Sequence, residues 1–444
     1  MNKRFYKKVT MVALPIIIQN FIGSLVNIVD TVMVGKLGEN AIAAVGIGNQ
    51  YFFLFNILML GTFSGISIFT SQYWGKKDVA SIRRLLGIGI ICALILGGIF
   101  TIMGLIYQEK IVGIFNQDPE VIKLGGQYLA IVCFSYVFTA ISFNYSMALR
   151  CIERTTLPMV ACGIALTINI FLNWVFIFGN FGFKPMGVEG SALATLIARI
   201  IEFLILWLYI YWSKNPLAGK IKELFSFDKK FLGIVIITMI PVILNEGCWG
   251  LGAVMYNVIF GRVGTREIAA VQIATTINNL FMVIILGIAT SALVIVGKEI
   301  GKGNNEKGYL YGKQIIKLGC IIGVLLAIVL AISSNSLLSV FNVSEQVSIW
   351  AKNIIYVIAI VMVIRVFNII VVVGVLRGGG DAKASLIIEA STMWLIGVPL
   401  TFVGAFIFNL PIYMIYALST VEELVKMVIC FKRFVSKKWI NNLV

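Results

Sequence analysis

Asp30 is the residue of this chain whose type and position point most clearly to chemistry. It lies in the apolar segment LVNIVDTVMVG, and the nearest basic residue, Lys36, falls beyond the end of that segment. A carboxyl group without a cationic partner in nonpolar surroundings favours exchange of a proton or binding of a cation. Asp30 is therefore a candidate ion-coupling residue. The alternative is a protonated aspartic acid that holds a neighbouring helix by a hydrogen bond.

Glu246 is a second acid in a comparable place, within PVILNEGCWG. An ionisable group inside an apolar helix is costly, so it is expected to have either a partner or a function. For Glu246 the two alternatives are a cation site and an ion pair with a basic residue such as Arg365. Further acids occur in later apolar runs, at Glu389, Glu422 and Glu423. For Glu423 we expect a packing role.

Asn169 and Asn173 are one helical turn apart in TINIFLNW, so their side chains share one face of a helix. Two such amides either bond a neighbouring helix or supply oxygen ligands to a cation. Arg199 and Glu202 are three residues apart in the next apolar run. This is the spacing of an ion pair within one helix, and we predict a structural pair.

Several kinds of catalysis are disfavoured by the residue types present. The chain has no histidine, which excludes histidine-based metal sites and triads. Its seven cysteines form no CxxC pair, and we expect them to be small buried hydrophobes. No GxxxxGKS or GxxxxGKT loop occurs, and the glycine run at 377–381 does not resemble a phosphate loop. We therefore predict no enzymatic activity, no cofactor and no ATP hydrolysis.

The elements that must position these residues are membrane-spanning helices. Of the 444 residues, 59% are hydrophobic and only 13% are charged, and the mean hydropathy is +0.97. A soluble domain of this size needs more polar surface. A helix needs about 20 apolar residues to cross a bilayer. The sequence contains twelve such runs, near residues 11–34, 46–73, 85–107, 125–149, 158–180, 188–212, 231–260, 268–297, 315–335, 350–376, 384–408 and 411–431.

The basic residues indicate how these spans are oriented. Counted in alternate loops, they favour the side that holds both termini roughly fourfold, which predicts cytoplasmic termini. This bias accounts for the net charge of +16 without a nucleic-acid partner. The basic start MNKRFYKKVT shows no cleavage site and is expected to stay on the first helix. We predict a multi-pass cell-membrane protein with an amino-terminal bundle over 1–213, a cytoplasmic linker over 214–230 and a carboxy-terminal bundle over 231–444.

An internal repeat relates the two halves. At an offset of 226 residues, the matched positions are Pro15 and Pro241, Gly35 and Gly261, Gly38 and Gly264, and Ile42–Val45 and Ile268–Val271. Arg150 corresponds to Arg377 at an offset of 227. Six spans in each half give the two copies the same orientation, so we expect a pseudo-twofold axis along the membrane normal and a cleft between two bundles.

The acids do not follow the repeat. Asp30 falls on Tyr256, and Glu246 falls on Asn20. Each half therefore has one of these two acids, at positions that do not correspond. We predict that the halves share a fold and differ in function.

Three segments together resemble one known family of transporters. They are ALPIIIQNFIGSLVNIVDTVMVGKLGENAIAAVGIGNQ, its counterpart MIPVILNEGCWGLGAVMYNVIFGRVGTREIAAV, and the later VLRGGGDAK. These segments are similar to those of the multidrug and toxic compound extrusion (MATE) family, and the resemblance covers nearly the whole chain. It implies an all-α membrane fold of twelve helices in two homologous six-helix bundles. It also implies export of cationic or amphipathic compounds in exchange for protons or sodium ions.

The resemblance assigns roles to several residues of the amino-terminal half. Asp30 matches the first-helix aspartate that the family uses in cation or proton coupling, and Asn169 matches a fifth-helix asparagine of the same site. Asn173 falls where many members have an aspartate, which removes a negative charge and weakens the expected binding of sodium. Thr195, in GSALAT, is a further member of the site. An Na⁺ site would use Asp30, Asn169 and Asn173.

Two acids of the carboxy-terminal half also match the family. Glu246 matches the seventh-helix glutamate, and Asp381 the tenth-helix aspartate, that are implicated in cation binding in one branch. Asp381, however, lies among glycines near the cytoplasmic end of its helix. A structural role in that loop is an equal alternative.

These observations predict a cation-coupled multidrug antiporter that works by alternating access, with H⁺ or Na⁺ as the coupling ion and no other cofactor. Its partners would be small-molecule drugs, organic cations and membrane lipids. Because one chain supplies both halves of the cleft, we expect a monomer. The alternative function is a flippase for lipid-linked sugars, supported only by Arg199 and Arg365. A membrane-embedded enzyme is a third class, disfavoured by the dispersed acids.

Overall fold

The computed structural model describes residues 3–341 and 343–444, and throughout this part the secondary structure is helical. Met1 and Asn2, at the start of the predicted amino-terminal bundle, lie outside the described residues. The helices are α1 Lys3–Gly35, α2 Glu39–Lys76, α3 Val79–Ile106, α4 Gln108–Phe115, α5 Pro119–Val132, α6 Ser135–Cys151, α7 Thr156–Phe178, α8 Gly187–Trp212, α9 Ile221–Leu224, α10 Lys229–Val263, α11 Thr265–Gly301, α12 Asn305–Leu338, α13 Glu345–Ile369, α14 Ala382–Thr392, α15 Val398–Phe406, α16 Ile412–Ser419 and α17 Val421–Val435. Two π-helical segments, Ile370–Leu376 and Met393–Gly397, follow α13 and join α14 to α15.

The predicted set of twelve membrane-spanning helices is confirmed. In the described part, ten helices are long and apolar enough to cross a membrane, and the pair α5–α6, bent by 50°, forms an eleventh. The helices α16 and α17 meet at Thr420 and take the twelfth position. This pair is short and carries acidic and basic side chains, which is why hydropathy marks it least clearly.

Local sequence signals explain where several helices begin, bend and end. Asp118 caps α5 by accepting a hydrogen bond from the backbone N–H of Glu120, and Pro119 occupies the first helical position. Gly179 ends α7 in a left-handed conformation with φ +74°, which glycine adopts without strain. The repeat-related Pro15 and Pro241 lie inside α1 and α10. Membrane helices tolerate such prolines because neighbouring groups satisfy the freed carbonyl.

The chain forms two compact units. The first unit comprises residues 14–70 and 78–235, and the second comprises 1–13, 71–77 and 236–444. The segment predicted as a linker, 214–230, lies entirely within the first unit, where α9 packs on α3. There Arg83 pairs with Glu223 at 3.0 Å, and the backbone of Leu224 lies against Gly87. Compactness does not define homologous bundles, so the boundaries at 213 and 231 stay a prediction.

The glycine run at 377–381 has a structural role in the second unit. The backbone N–H of Asn441 donates to the carbonyl of Gly379 at 2.7 Å, and Gly380 has φ +82°. The buried ring of Trp439 lies so close to Gly379 that a side chain there would collide with it. Gln72 also donates to the carbonyl of Asn441 at 3.1 Å. The run therefore holds the carboxy-terminal tail in place.

Candidate cation site

Three helices of the first unit bring together the four residues predicted for its cation site. Asp30 comes from α1, Asn169 and Asn173 from one face of α7, and Thr195 from α8. The side-chain amide nitrogen Nδ2 of Asn173 donates to Asp30 Oδ1 at 2.5 Å and to Asn169 Oδ1 at 3.3 Å. Asn169 Nδ2 in turn lies 3.3 Å from Thr195 Oγ1. The four side chains form one continuous polar chain.

This polar chain is buried, and its acid has no cationic partner. Asp30 is 7% exposed, Asn169 2% and Asn173 0%. Among the described residues, no lysine or arginine lies within ion-pair distance of Asp30. Arg199, the basic side chain that acts on Asp30 electrostatically, is bound to Glu202 instead, at 2.8 Å. The predicted Arg199–Glu202 pair is therefore present, and among the described residues Asp30 is left with the amide of Asn173 as its hydrogen-bond partner.

The donor set suits a small cation. Asn173 Oδ1 is buried and has no hydrogen-bond partner in the described part of the chain. A carboxylate, two amide oxygens and a hydroxyl are the oxygen ligands that hard cations prefer. A small cavity beside the chain is lined by Asn169, Thr195 and Arg199 together with apolar side chains of α1, α7 and α8. The residues present fit either a proton on Asp30 or a sodium ion held by its neighbours.

The residues that the structure describes form no metal site with several acidic, histidine or cysteine ligands. Among these, no group of three or more histidine, cysteine, aspartate or glutamate side chains converges. The seven cysteines are free; four are buried as expected, whereas Cys92, Cys248 and Cys320 are only partly buried. A cation in the first unit would therefore have a single carboxylate, with neutral oxygens completing its shell.

The two acids predicted in the carboxy-terminal half are both ion-paired. Glu246 Oε1 lies 2.7 Å from Arg377 Nη1, and Asp381 Oδ2 lies 2.8 Å from Arg433. Each acid has its own arginine, so neither resembles the unpaired Asp30. Asp381 also directly precedes α14, at the end of the glycine run that seats the tail. Their role in cation binding stays a prediction.

The suggested pairing of Glu246 with Arg365 is wrong. Arg365 bonds Glu423 at 3.3 Å, and Arg377 takes Glu246. Twelve residues separate the two arginines on one span, a distance of about 18 Å along a helix. Hydropathy does not give the depth at which Glu246 of α10 lies beside that span. Helix packing therefore decides which of the two arginines pairs with Glu246.

One buried basic residue was missed in the sequence. Lys426 is buried in α17 and pairs with Glu389 of α14 at 2.9 Å. The signal was present, because Lys426 follows Glu422 and Glu423 at i+4 and i+3, the spacing of ion pairs within one helix. The acids of the last span therefore belong to a mixed network of charges.

A duplicated bundle of membrane-spanning helices, with a buried and unpaired acid in one copy, defines a membrane transporter. The MatE family model matches residues 15–175 and 241–403, and the chain belongs to this family. The two matches begin 226 residues apart, the offset of the internal repeat. Each half of the chain therefore carries one copy of the family's unit.

Relatives and solved structures agree with this family. The chain is 26% identical over 407 residues to the probable multidrug resistance protein YoeA of Bacillus subtilis, covering 90% of this chain and 86% of that one. It is 24% identical to the probable multidrug resistance protein NorM of Thermotoga maritima, covering 98% and 93%. A solved outward-facing conformation of a multidrug resistance MATE family transporter has a TM-score of 0.88 at 20% identity, covering 97% and 96%. That structure supports the fold.

Proposed function

We propose that this protein exports cationic or amphipathic small molecules across the cell membrane in exchange for H⁺ or Na⁺. One observation carries the proposal: in a member of a transporter family, Asp30 is buried, accepts a hydrogen bond from the amide of Asn173 and has no cationic partner in the described part of the chain. The relatives named as multidrug resistance proteins support small, chemically varied substrates.

The coupling step follows from the hydrogen bonds of Asp30. An ionised carboxylate accepts strongly from Asn173 Nδ2, and this contact ties α1 to α7. A proton or sodium ion on Asp30 removes its net charge and weakens that contact. The first helix is then free to shift, and the drug leaves. Exchange requires that the two states of the cycle differ in their affinity for the cation.

Replacing Asp30 by Asn tests the proposal, because asparagine keeps the shape of the side chain and removes its titratable charge. In proteoliposomes with an imposed ion gradient, Asp30→Asn should reduce efflux of the fluorescent cation rhodamine 6G to the rate of passive leak. Asp118→Asn is the matched control, since asparagine caps α5 as well as aspartate does. Undiminished efflux in Asp30→Asn, or equal loss in both variants, contradicts the proposal.

The coupling ion is identified by imposing one gradient at a time. Efflux driven by a pH gradient without Na⁺ assigns the proton, and efflux driven by an Na⁺ gradient at equal pH assigns sodium. Because Asn173 takes the place of a second carboxylate in many family members, we expect the proton to drive the larger flux. The measurement is the initial rate of dye release in vesicles of the same preparation.

The arrangement in the membrane is part of the same proposal. Both termini lie in the cytoplasm, lipids surround the bundle, no nucleic acid is bound and one chain suffices for transport. The support is the distribution of basic residues and the presence of two repeat copies in each chain. Labelling of single cysteines introduced at the termini, and the mass of the purified protein in detergent, test the topology and the monomer.

A flippase for lipid-linked sugars is not proposed. The two arginines that could have bound a phosphate are engaged by acids: Arg199 by Glu202 at 2.8 Å and Arg365 by Glu423 at 3.3 Å. Neither guanidinium is therefore available to a lipid diphosphate. We also propose that the chain has no enzymatic activity, because it contains no histidine and its acids are dispersed along the sequence.

A further inference from the structure

A network of charged side chains is buried in the second unit, among α13, α14 and α17. Lys426 Nζ lies 2.9 Å from Glu389 Oε1, and 3.8 Å from both Glu422 and Glu423. Arg365 Nε donates to Glu423 Oε1 at 3.3 Å. None of these five side chains is more than 20% exposed.

The network contains one acid more than it has bases. Arg365 and Lys426 carry positive charges, and they face three carboxyl groups. The other titratable side chains that face the network in the described part of the chain are Tyr256 of α10, Tyr416 of α16 and Cys430 of α17, two phenols and a thiol that add no basic group. With every acid ionised, one negative charge would stay uncompensated inside the membrane, which is costly. A single bound proton removes it.

The contacts indicate which acid takes that proton. Asn368 Nδ2 donates to Glu423 Oε2 at 2.8 Å, and Glu389 is the nearest acid to Lys426. Glu422 has the longest ion-pair contact of the three acids, since its nearest base, Lys426, is 3.8 Å away. Its second oxygen, Oε2, is buried without a hydrogen-bond partner in the described part of the chain. Glu422 is therefore the surplus acid.

The space around Glu422 suits a proton. Glu422 Oε2 and Tyr256 Oη both lie against Gly397, where any larger residue would collide with them. The Tyr256 hydroxyl, like Glu422 Oε2, has no hydrogen-bond partner among the described residues. Gly397 ends a π-helical segment, a local irregularity frequent at functional sites. Such close packing admits a proton and leaves no room for a hydrated metal ion.

The repeat places this network at the counterpart of the first-unit site. Tyr256 corresponds to Asp30 at the offset of 226. At the offset of 227 that relates Arg150 to Arg377, Thr195 corresponds to Glu422 and Arg199 to Lys426. In the second copy the surplus carboxyl group, Glu422, thus lies on the last helix of the repeat, whereas Asp30 lies on the first.

We propose that Glu422 is a second proton-binding group, which takes up and releases one proton in each transport cycle in addition to the cation at Asp30. This inference rests on the proposed ion-coupled export. The proton is carried on Glu422 Oε2 and is returned to water when the network opens. No other covalent change is involved.

Infrared difference spectroscopy of the purified full-length protein tests the proposal without transport. Between acidic and alkaline buffer, the C=O band of protonated carboxyl groups should lose one component in Glu422→Gln, which is isosteric and neutral. Asp118→Asn, outside the network, should keep the wild-type band. An unchanged band in Glu422→Gln overturns the proposal. If that variant does not fold, Glu422→Asp should shift the component in frequency, and an unshifted band is equally contrary.

A transport measurement then separates this proposal from the proposed function. In proteoliposomes, the number of protons exchanged per tetraphenylphosphonium ion should fall by one in Glu422→Gln, and an unchanged number overturns a role in the cycle. If Asp30→Asn exports the dye undiminished while Glu422→Gln loses its infrared component, the assignment to Asp30 fails and proton binding at Glu422 stands.

Discussion

The two units treat a buried acid in opposite ways. In the first unit, Asp30 is alone among amides and a hydroxyl. In the second, Glu246 and Glu423 each lie against an arginine. An amide partner leaves the acid free to bind a cation, whereas a guanidinium already supplies the positive charge. One duplicated scaffold therefore holds an acid with amide and hydroxyl neighbours in one unit and acids paired with arginines in the other.

The comparison is tested most strongly by breaking an ion pair of the second unit. Arg377→Gln leaves Glu246 buried without its cation, which should lower the free energy of unfolding by about 3–5 kcal/mol. Asp30→Asn should leave stability nearly unchanged, since no cation is orphaned. Thermal unfolding in one detergent measures both, with the exposed Lys383→Gln as the surface control. Equal shifts of the unfolding temperature for Arg377→Gln and Asp30→Asn would mean that the two acids do not differ in their dependence on a cationic partner.

A second change should make the first-unit site resemble the second unit. Glu202→Gln removes the acid that holds Arg199, and the freed guanidinium can then compensate Asp30. The coupling cation must compete with it, so half-maximal efflux should require a higher concentration of H⁺ or Na⁺. The concentration dependence of initial dye efflux measures this. A variant with wild-type dependence would mean that Arg199 does not reach Asp30.

The opposite change should strengthen cation binding. Asn173→Asp places a second carboxylate within hydrogen-bonding reach of Asp30, and two like charges favour a cation between them. We expect Na⁺ to bind roughly tenfold more tightly, about 1.4 kcal/mol. Stabilisation by Na⁺, compared with choline at equal ionic strength, reports the affinity. Loss of the Na⁺ response would instead show that Asn173 is not part of the cation site.

The smallest effect is expected at the edge of the site. Thr195→Val keeps the side-chain shape and removes one hydroxyl, which should cost about 1 kcal/mol of cation binding. Efflux should be slowed several-fold and not abolished. Ser191→Ala, a buried hydroxyl one turn earlier on α8, is the matched control. If both variants behave alike, Thr195 acts only in packing.

Much of the fold could be predicted because hydropathy and repeats are written along the chain. Eleven of the twelve spans are recognised by the length of their apolar runs. The remaining span, α16–α17, is predicted from the apolar run at 411–431. The grouping of Asn169 with Asn173 followed from one helical turn. The pairing of Glu246 with Arg377 did not, because the two residues lie on different helices whose relative depth is set by packing. Lys426 was missed because its partner Glu389 also lies on another helix.

The sequence by itself determined the class of the protein, its duplicated halves and the presence of acids inside apolar spans. These properties are local, since the free energy of burying a helix in lipid depends on its own residues. Only the tertiary structure decided that Glu246 is paired with an arginine, that Glu422 exceeds the number of bases around it, and that Asp30 has an amide as its partner. Ion pairs and hydrogen bonds depend on distances of a few ångströms between helices that are far apart in the chain. That is why Asp30 and Glu246, which are both acids within apolar runs of the sequence, have different partners.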